Sequence, residues 1–368
     1  MKKIRLFGIF LVLAAILLSC SQPSFPEGNW RFMGQTQPGS TVIKQLKWLQ
    51  ENAQSGGTYI VIARRSEPRI PGNNNFGISF DERESISVTI KSEEGLPPQT
   101  LRLLDSGVML YVGPANTLVL QNVNLQVSDS PAQINPVVEV NGGTLRMINA
   151  SISGNGGAQG VSANEGTLIM GSGAVIYGNR GGIIARNRSR VYMYGDATIR
   201  NNKGTGVFVT RSVLTMNGDA LIYNNQTAIP RQAGGISAFD YSDVFMFDNA
   251  AVRRNSVGGV RIEQRGTLNM HGNNVQISGN TVNDGSGGGV VFIGGNILFH
   301  ISGGTVYGND APPHLANTAS AGSAISNNNA VIRVGSFSKS GGFIPCGLTN
   351  ISIEHFNYTF RVIDGALR

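Results

Sequence analysis

Gly166-Thr-Leu-Ile-Met-Gly-Ser-Gly-Ala-Val-Ile-Tyr-Gly-Asn179 decides the fold, because the chain writes it again and again. Residues 189–202 read Ser-Arg-Val-Tyr-Met-Tyr-Gly-Asp-Ala-Thr-Ile-Arg-Asn-Asn, and residues 212–225 read Ser-Val-Leu-Thr-Met-Asn-Gly-Asp-Ala-Leu-Ile-Tyr-Asn-Asn. An aliphatic residue two before a methionine occurs as Leu145/Met147, Leu168/Met170, Val191/Met193, Leu214/Met216, Val244/Met246 and Leu268/Met270. The chain has nine methionines, so two-thirds of them fill one repeated slot. An asparagine follows each: Asn155, Asn179, Asn202, Asn225, Asn255 and Asn280, with Asn309 closing a series whose gaps are 24, 23, 23, 30, 25 and 29 residues. Self-similarity at such a period marks a solenoid, in which each repeat buries its apolar face against its neighbours.

Within one repeat, Leu168 and Met170 are two apart, as are Ala174 and Ile176, so each pair faces one side of a strand. A third strand opens with glycine: Gly182-Ile183, Gly206-Val207, Gly235-Ile236, Gly259-Val260 and Gly289-Val290. Three short strands in about 23 residues predict an all-β parallel β-helix of roughly ten rungs. A helical repeat would need apolar spacing of three and four, and a leucine-rich repeat its own consensus; neither is present. Stacking at about 4.8 Å per rung puts methionine on methionine inside and asparagine on asparagine at the bend. Most repeated residues are therefore expected to be structural.

The ends differ from the repeats. Lys2, Lys3 and Arg5 precede an apolar run from Leu6 to Leu18, too short for a bilayer-spanning helix. Leu17-Leu18-Ser19-Cys20 follows and resembles the lipobox of bacterial lipoproteins. That resemblance implies a signal peptide over 1–19, acylation of Cys20, and the membrane as a partner through this anchor. By analogy with enteric lipoproteins, Ser21 in place of aspartate after the cysteine implies the outer membrane or cell surface within the cell envelope. Without Lys2, Lys3 and Arg5 the formal charge falls from +7 to +4. Cys346 then has no partner, so no disulfide is expected. Residues 20–38 read as a tether. Residues 39–57 hold a capping helix: Ser40 or Thr41 starts it, Val42, Leu46, Leu49 and Ala53 share a side, and Gly56-Gly57 stops it. Residues 58–368 read as the β-helix, with irregular first rungs (Val88/Ile90, Leu110/Val112, Leu118/Leu120) and a closing strand over Asn357-Tyr-Thr-Phe-Arg-Val-Ile-Asp364.

The run from Leu46 to Tyr59, the Gly-Thr-Leu-x-Met rungs and Phe360-Arg-Val-Ile-Asp-Gly365 together resemble the right-handed β-helix lipoproteins of spirochaetes. The asparagine and Gly-Gly-Ile/Val pattern is similar to repeats of polymorphic outer-membrane adhesins, and the wider fold is that of pectate lyases. The resemblance implies a fold and an address; it brings no catalytic motif.

Chemistry is sparse. Asp196 and Asp219 follow glycine in one slot of adjacent rungs and are expected to stack about 5 Å apart. Neighbouring rungs hold Gly173, Asn249 and Asn273 there, which favours a turn-forming role. Of the histidines, His300 is expected in the inward methionine slot, His271 outward and alone, and His314 and His355 near the C-terminal end. None has metal-ligand spacing. No catalytic residue, metal, cofactor or nucleic-acid partner is expected.

Outward slots carry more information. Tyr192 and Tyr194, then Thr215 and Asn217, then Phe245 and Phe247 form an aromatic–polar–aromatic strip bordered by Asp196 and Asp219, suited to a glycan or protein ligand. Tyr177, Arg200, Tyr223 and Arg253 alternate on the second strand, as cation–π stacking requires. Arg186, Arg188, Arg190 and Arg211 gather at the third turn, with Arg265 further along, as a basic patch. The leading expectation is a surface-exposed, non-enzymatic bacterial lipoprotein whose rigid β-helix serves adhesion or glycan or protein binding. The alternatives are a polysaccharide lyase or hydrolase of the pectate-lyase-like fold, and a purely structural envelope component.

Overall fold

A computed structural model describes residues 35–36, 41–70, 85–103, 107–127, 135–229, 232–283, 287–301, 303–308, 311–319, 325–328 and 331–334, and the short strands 344–345, 362–363 and 366–367. All of these fall in one compact unit. Cys20, Cys346, Asn309, His355 and the stretch 357–361 lie outside the described residues.

Alternating apolar residues fold into short strands, and each strand pairs in parallel with its equivalent one turn later. Three sheets result. The first has twelve strands, from Gln35–Thr36 and Thr58–Ala63 to Val331–Val334. The second has ten, from Glu67–Ile70 to Thr305–Val306, and the third nine, from Leu110–Val112 to Ile325–Asn328. About nine full turns of a parallel β-helix follow, as the sequence predicts. The register is strict. Met147, Met170, Met193, Met216, Met246 and Met270 pair in succession and are all fully buried. Ile152, Ile176, Ile199, Ile222, Val252, Ile277 and Val306 form the matching column of the second sheet. One continuous apolar core fills the lumen, where each thioether adapts to unlike neighbours.

The methionine column ends otherwise than expected. Met270 pairs with Ile301, while His300 pairs with Asn269 on the outer face. The strand Asn296–Ile301 takes the phase that puts Phe299 and Ile301 inside, because an imidazole in the lumen would have no partner.

The asparagine ladder also has different ends. Asn179, Asn202, Asn225, Asn255, Asn280 and Asn317 are buried, and each amide oxygen from Asn202 onward accepts from both Nδ2 and the backbone N–H of the asparagine before it. Asn155 is exposed with φ 48°, since Gly154 and Gly156 give that bend another path. In the last described bend Asn317 takes the slot: its Nδ2 donates to the carbonyls of Tyr307 at 2.7 Å and Ile277 at 2.8 Å. An inserted loop separates Tyr307 from Asn317, which is why sequence spacing misses it.

Both N-terminal devices protect an edge. The helix α1, Val42–Asn52, is capped by Thr41, whose hydroxyl accepts from the Lys44 N–H, and the Glu67 carboxylate accepts from the Val42 N–H at 2.6 Å. Val42, Leu49 and Ala53 enter the core, and Leu46 is half-buried. Gln45 donates to the Ile62 carbonyl and accepts from the Ile62 N–H, both at 2.9 Å, which satisfies the open edge of the first sheet. Gln35–Thr36, within the stretch read above as a tether, pairs with Tyr59 and Ile60 on the same edge. Near the other end, Ile344–Pro345, Val362–Ile363 and Ala366–Leu367 form a small antiparallel sheet.

Candidate functional site

The outer face of the first sheet carries two columns of side chains. The first runs Arg146, Ile169, Tyr192, Thr215, Phe245, Asn269, His300. The second holds the residues that follow each methionine: Gly171, Tyr194, Asn217, Phe247 and His271, each N–H bonded to the methionine carbonyl of the previous rung. Tyr192 and Tyr194 rings lie 6.1 Å apart at 17°, and Phe245 and Phe247 lie 6.3 Å apart at 3°. All four are half-buried against their neighbours. The expected strip is therefore assembled.

Phe247 also stacks on His271, with centroids 5.3 Å apart at 15°. Coplanar rings cannot approach so closely, so these two overlap face to face along the solenoid axis. His271 is thus not alone, and with His300 it extends the strip by residues that the sequence reading had set apart. The signal was available: His271 directly follows the last methionine of the series, as Phe247 and Tyr194 follow theirs. Burial lowers both imidazole pKa values, and for His300 the neighbouring His271 lowers it further. Both are neutral at pH 7. Between Phe245 and His300 sits Asn269, 6 % exposed, whose amide nitrogen has no hydrogen-bond partner. Burial, then Tyr192, pushes the Tyr194 phenol up to about 12, against the lowering effect of Arg146.

Asp196 and Asp219 are exposed at the border of the strip, each tied into the turn column. The Asp196 carboxylate accepts from the Gly173 N–H at 2.7 Å, and Asp219 accepts from Asn249 Nδ2 at 2.8 Å. Asn274 donates in turn to Asn249, so Asn274 and not Asn273 occupies this slot; the turn after Gly272 is one residue longer. These bonds are those of turn formers.

Arg186, Arg188, Arg190 and Arg211 are all exposed at the corner between the third and first sheets, where the Arg188 N–H donates to the Arg211 carbonyl at 2.6 Å. Arg188 pairs with Glu165 at 3.2 Å, an exposed contact worth little. Further along the same corner the Arg265 guanidinium lies 5.4 Å from the ring centroid of Tyr241, which is 59 % exposed. Among the described residues no group of three or more His, Cys, Asp or Glu is placed to hold a metal ion, and no helix is long and apolar enough to cross a membrane.

Residues 137–330 match the family described as right-handed β-helix region, which is more than half of the chain. The chain belongs to the right-handed β-helix family. The matched span holds every residue of the aromatic strip and of the arginine corner. A search of the curated proteins finds no match. Members of the right-handed β-helix family are defined by the stacked rungs, so the match is to the scaffold and leaves the outer faces to be read from their own chemistry.

Proposed function

We propose that this chain is a lipid-anchored, non-enzymatic β-helix that presents the ring strip of its first sheet to glycan. The observation that carries the reading is the order of the rungs: Tyr192/Tyr194, then Thr215/Asn217, then Phe245/Phe247. The two ring-bearing rungs are two strand spacings apart, about 9.6 Å, with only small side chains between them. A pyranose offers apolar C–H faces for aromatic rings and a polar rim for amides and carboxylates. Asn217, Asp196 and Asp219 line the notch and its border. The lipobox-like run ending at Cys20 and the likeness to spirochaetal β-helix lipoproteins support a surface address.

A glycan array probed with the full chain tests the reading. Wild-type protein is expected to be retained on specific glycans, and Tyr192→Ala/Phe245→Ala to lose retention while keeping its far-ultraviolet spectrum. Unchanged retention removes the strip as the site. Calcium-dependent release of unsaturated uronide products, lost in Asp219→Ala, would replace the binding reading with that of a lyase.

A further inference from the structure

The outer face of the second sheet holds a second periodic arrangement. Tyr177, Arg200, Tyr223 and Arg253 pair in succession, so a tyrosine and an arginine alternate on consecutive rungs. Arg200 places its guanidinium 5.4 Å from the Tyr177 ring centroid. A guanidinium resting on a ring keeps its N–H edge free for an anion. Beside this column the bend adds Arg180, Lys203 and Arg254, all exposed. Lys203 reaches back past the Arg180 rung, and its ammonium covers Gly156.

Among the described residues no carboxylate forms an ion pair with these cations. The strands from Ser151–Ser153 to Gln276–Ser278, and the bends that follow the first five of them, contain no aspartate or glutamate. Ion pairs join Arg64 to Glu93, Arg188 to Glu165 and Arg261 to Glu263, and none of Arg180, Arg200, Lys203, Arg253 and Arg254 takes part in them. Asp196 and Asp219 lie at the far end of their strands, tied into the turn column. Arg253 and Arg254 are consecutive, and Arg180, Arg200 and Lys203 crowd two rungs. Like charges held so close repel, and an anionic partner would relieve that repulsion.

We propose that this face binds a linear polysaccharide bearing one anionic group on every second sugar. The arginines of the column recur every two rungs, about 9.6 Å, and so do the tyrosines. An extended β-linked pyranose chain advances by nearly one rung per sugar. A chain laid along the axis then sets an anionic sugar over Arg200 and over Arg253, and neutral sugars over the outer edges of Tyr177 and Tyr223, where the phenol hydroxyls meet sugar hydroxyls. A chain charged on every sugar would force carboxylates onto those rings and lose hydration without a partner. The site is separate from the ring strip of the first sheet and stands independently of it.

Hyaluronan oligosaccharides, with one carboxylate per disaccharide, are the probe, and the full chain in detergent is the protein. Wild type is expected to bind them in a salt-sensitive manner. Arg200→Gln/Arg253→Gln should bind at least about tenfold more weakly, and Tyr177→Ala/Tyr223→Ala should also weaken binding. Loss of hyaluronan binding in Tyr192→Ala/Phe245→Ala, with Arg200→Gln/Arg253→Gln unaffected, would assign the sugar to the first strip and overturn the proposal. Equal binding of polyglutamate, which has charge but no sugar faces, would overturn the proposal. So would full binding by the Arg200→Gln/Arg253→Gln variant, or an equal loss in Arg186→Gln/Arg188→Gln at the other corner.

Discussion

Nδ2 of Asn280 lies where a side chain on Gly259 would begin: a Cβ built on that glycine would stand 2.7 Å from the amide nitrogen. The same relationship holds between Gly206 and Asn225 at 2.9 Å, and between Gly235 and Asn255 at 3.1 Å. At these three bends the buried amide therefore requires a glycine on the neighbouring segment. The two most frequent features of the repeat are one device: the glycine makes room, and the asparagine fills it with hydrogen bonds that the turning backbone needs.

Asn225→Ala tests the ladder from its middle. It removes the acceptor for the Asn202 N–H and Nδ2, and the donor to the Ile199 carbonyl and Asn255 Oδ1. Leaving several buried groups unpaired should cost on the order of 3 kcal/mol or more. Asn224→Gly, one residue earlier, should be close to neutral, because Asn224 is exposed with φ 53° and glycine accepts that conformation. Chemical denaturation of both variants checks the contrast.

Gly235→Ala should be among the most damaging small substitutions. Its methyl would stand 2.2 Å from the Gly259 carbonyl oxygen, a backbone atom fixed by the stack. Gly56→Ala has open space and pays only for φ +76°, roughly 1 kcal/mol. Comparative thermal melts should place the first far below the second.

The histidines of the strip set an acid limit. Both imidazoles have folded pKa values below the ordinary 6.5, so as pH falls through that value the unfolded chain takes up protons first. Their contribution is complete above pH 6.5 and is lost as pH falls towards the folded values. His271→Gln/His300→Gln should therefore show a smaller drop in stability between pH 7 and pH 5 than wild type. An equal drop would mean that other groups govern acid unfolding.

Tyr194 sets the alkaline counterpart. Its phenol ionises near 12 in the folded chain against 10.0 ordinarily, so its contribution is complete below pH 10 and is lost as pH rises towards 12. Ultraviolet titration of the folded protein should show a late-ionising phenol that Tyr194→Phe removes.

Cys20→Ala tests the address. If the cysteine carries the lipid anchor, the variant leaves the detergent phase on phase partitioning, and wild type enters it. A variant that still enters the detergent phase would end the lipoprotein reading.

The lumen was legible because its chemistry is uniform: an inward slot must be apolar on every rung, so Met147 to Met270 and Ile152 to Ile277 announce their register. Slots that tolerate several residues were not. Asn155 turns outward at one bend, a loop carries Asn317 far from its predecessor, and one extra residue moves the turn slot to Asn274. His300 misled because counting from the methionines fails when Asn296–Ile301 fixes its own phase through Phe299 and Ile301. On the outer face, the pairing of Phe247 with His271 depends on stacking between rungs, which no single repeat displays.

The asparagine ladder has a last consequence. From Asn179 to Asn202 and from Asn202 to Asn225 the chain runs 23 residues, and from Asn225 to Asn255 it runs 30, yet the amide contacts are 2.9, 2.8 and 3.0 Å. Contour length and rod length are thus uncoupled. A bend can acquire residues and hang them at its side, and the rod grows only when a whole turn is copied, in steps of about 4.8 Å. A gene that duplicates one 23-residue unit lengthens the molecule by one such step and leaves its thickness and lumen unchanged. The fold works as a ruler whose graduations are the asparagines.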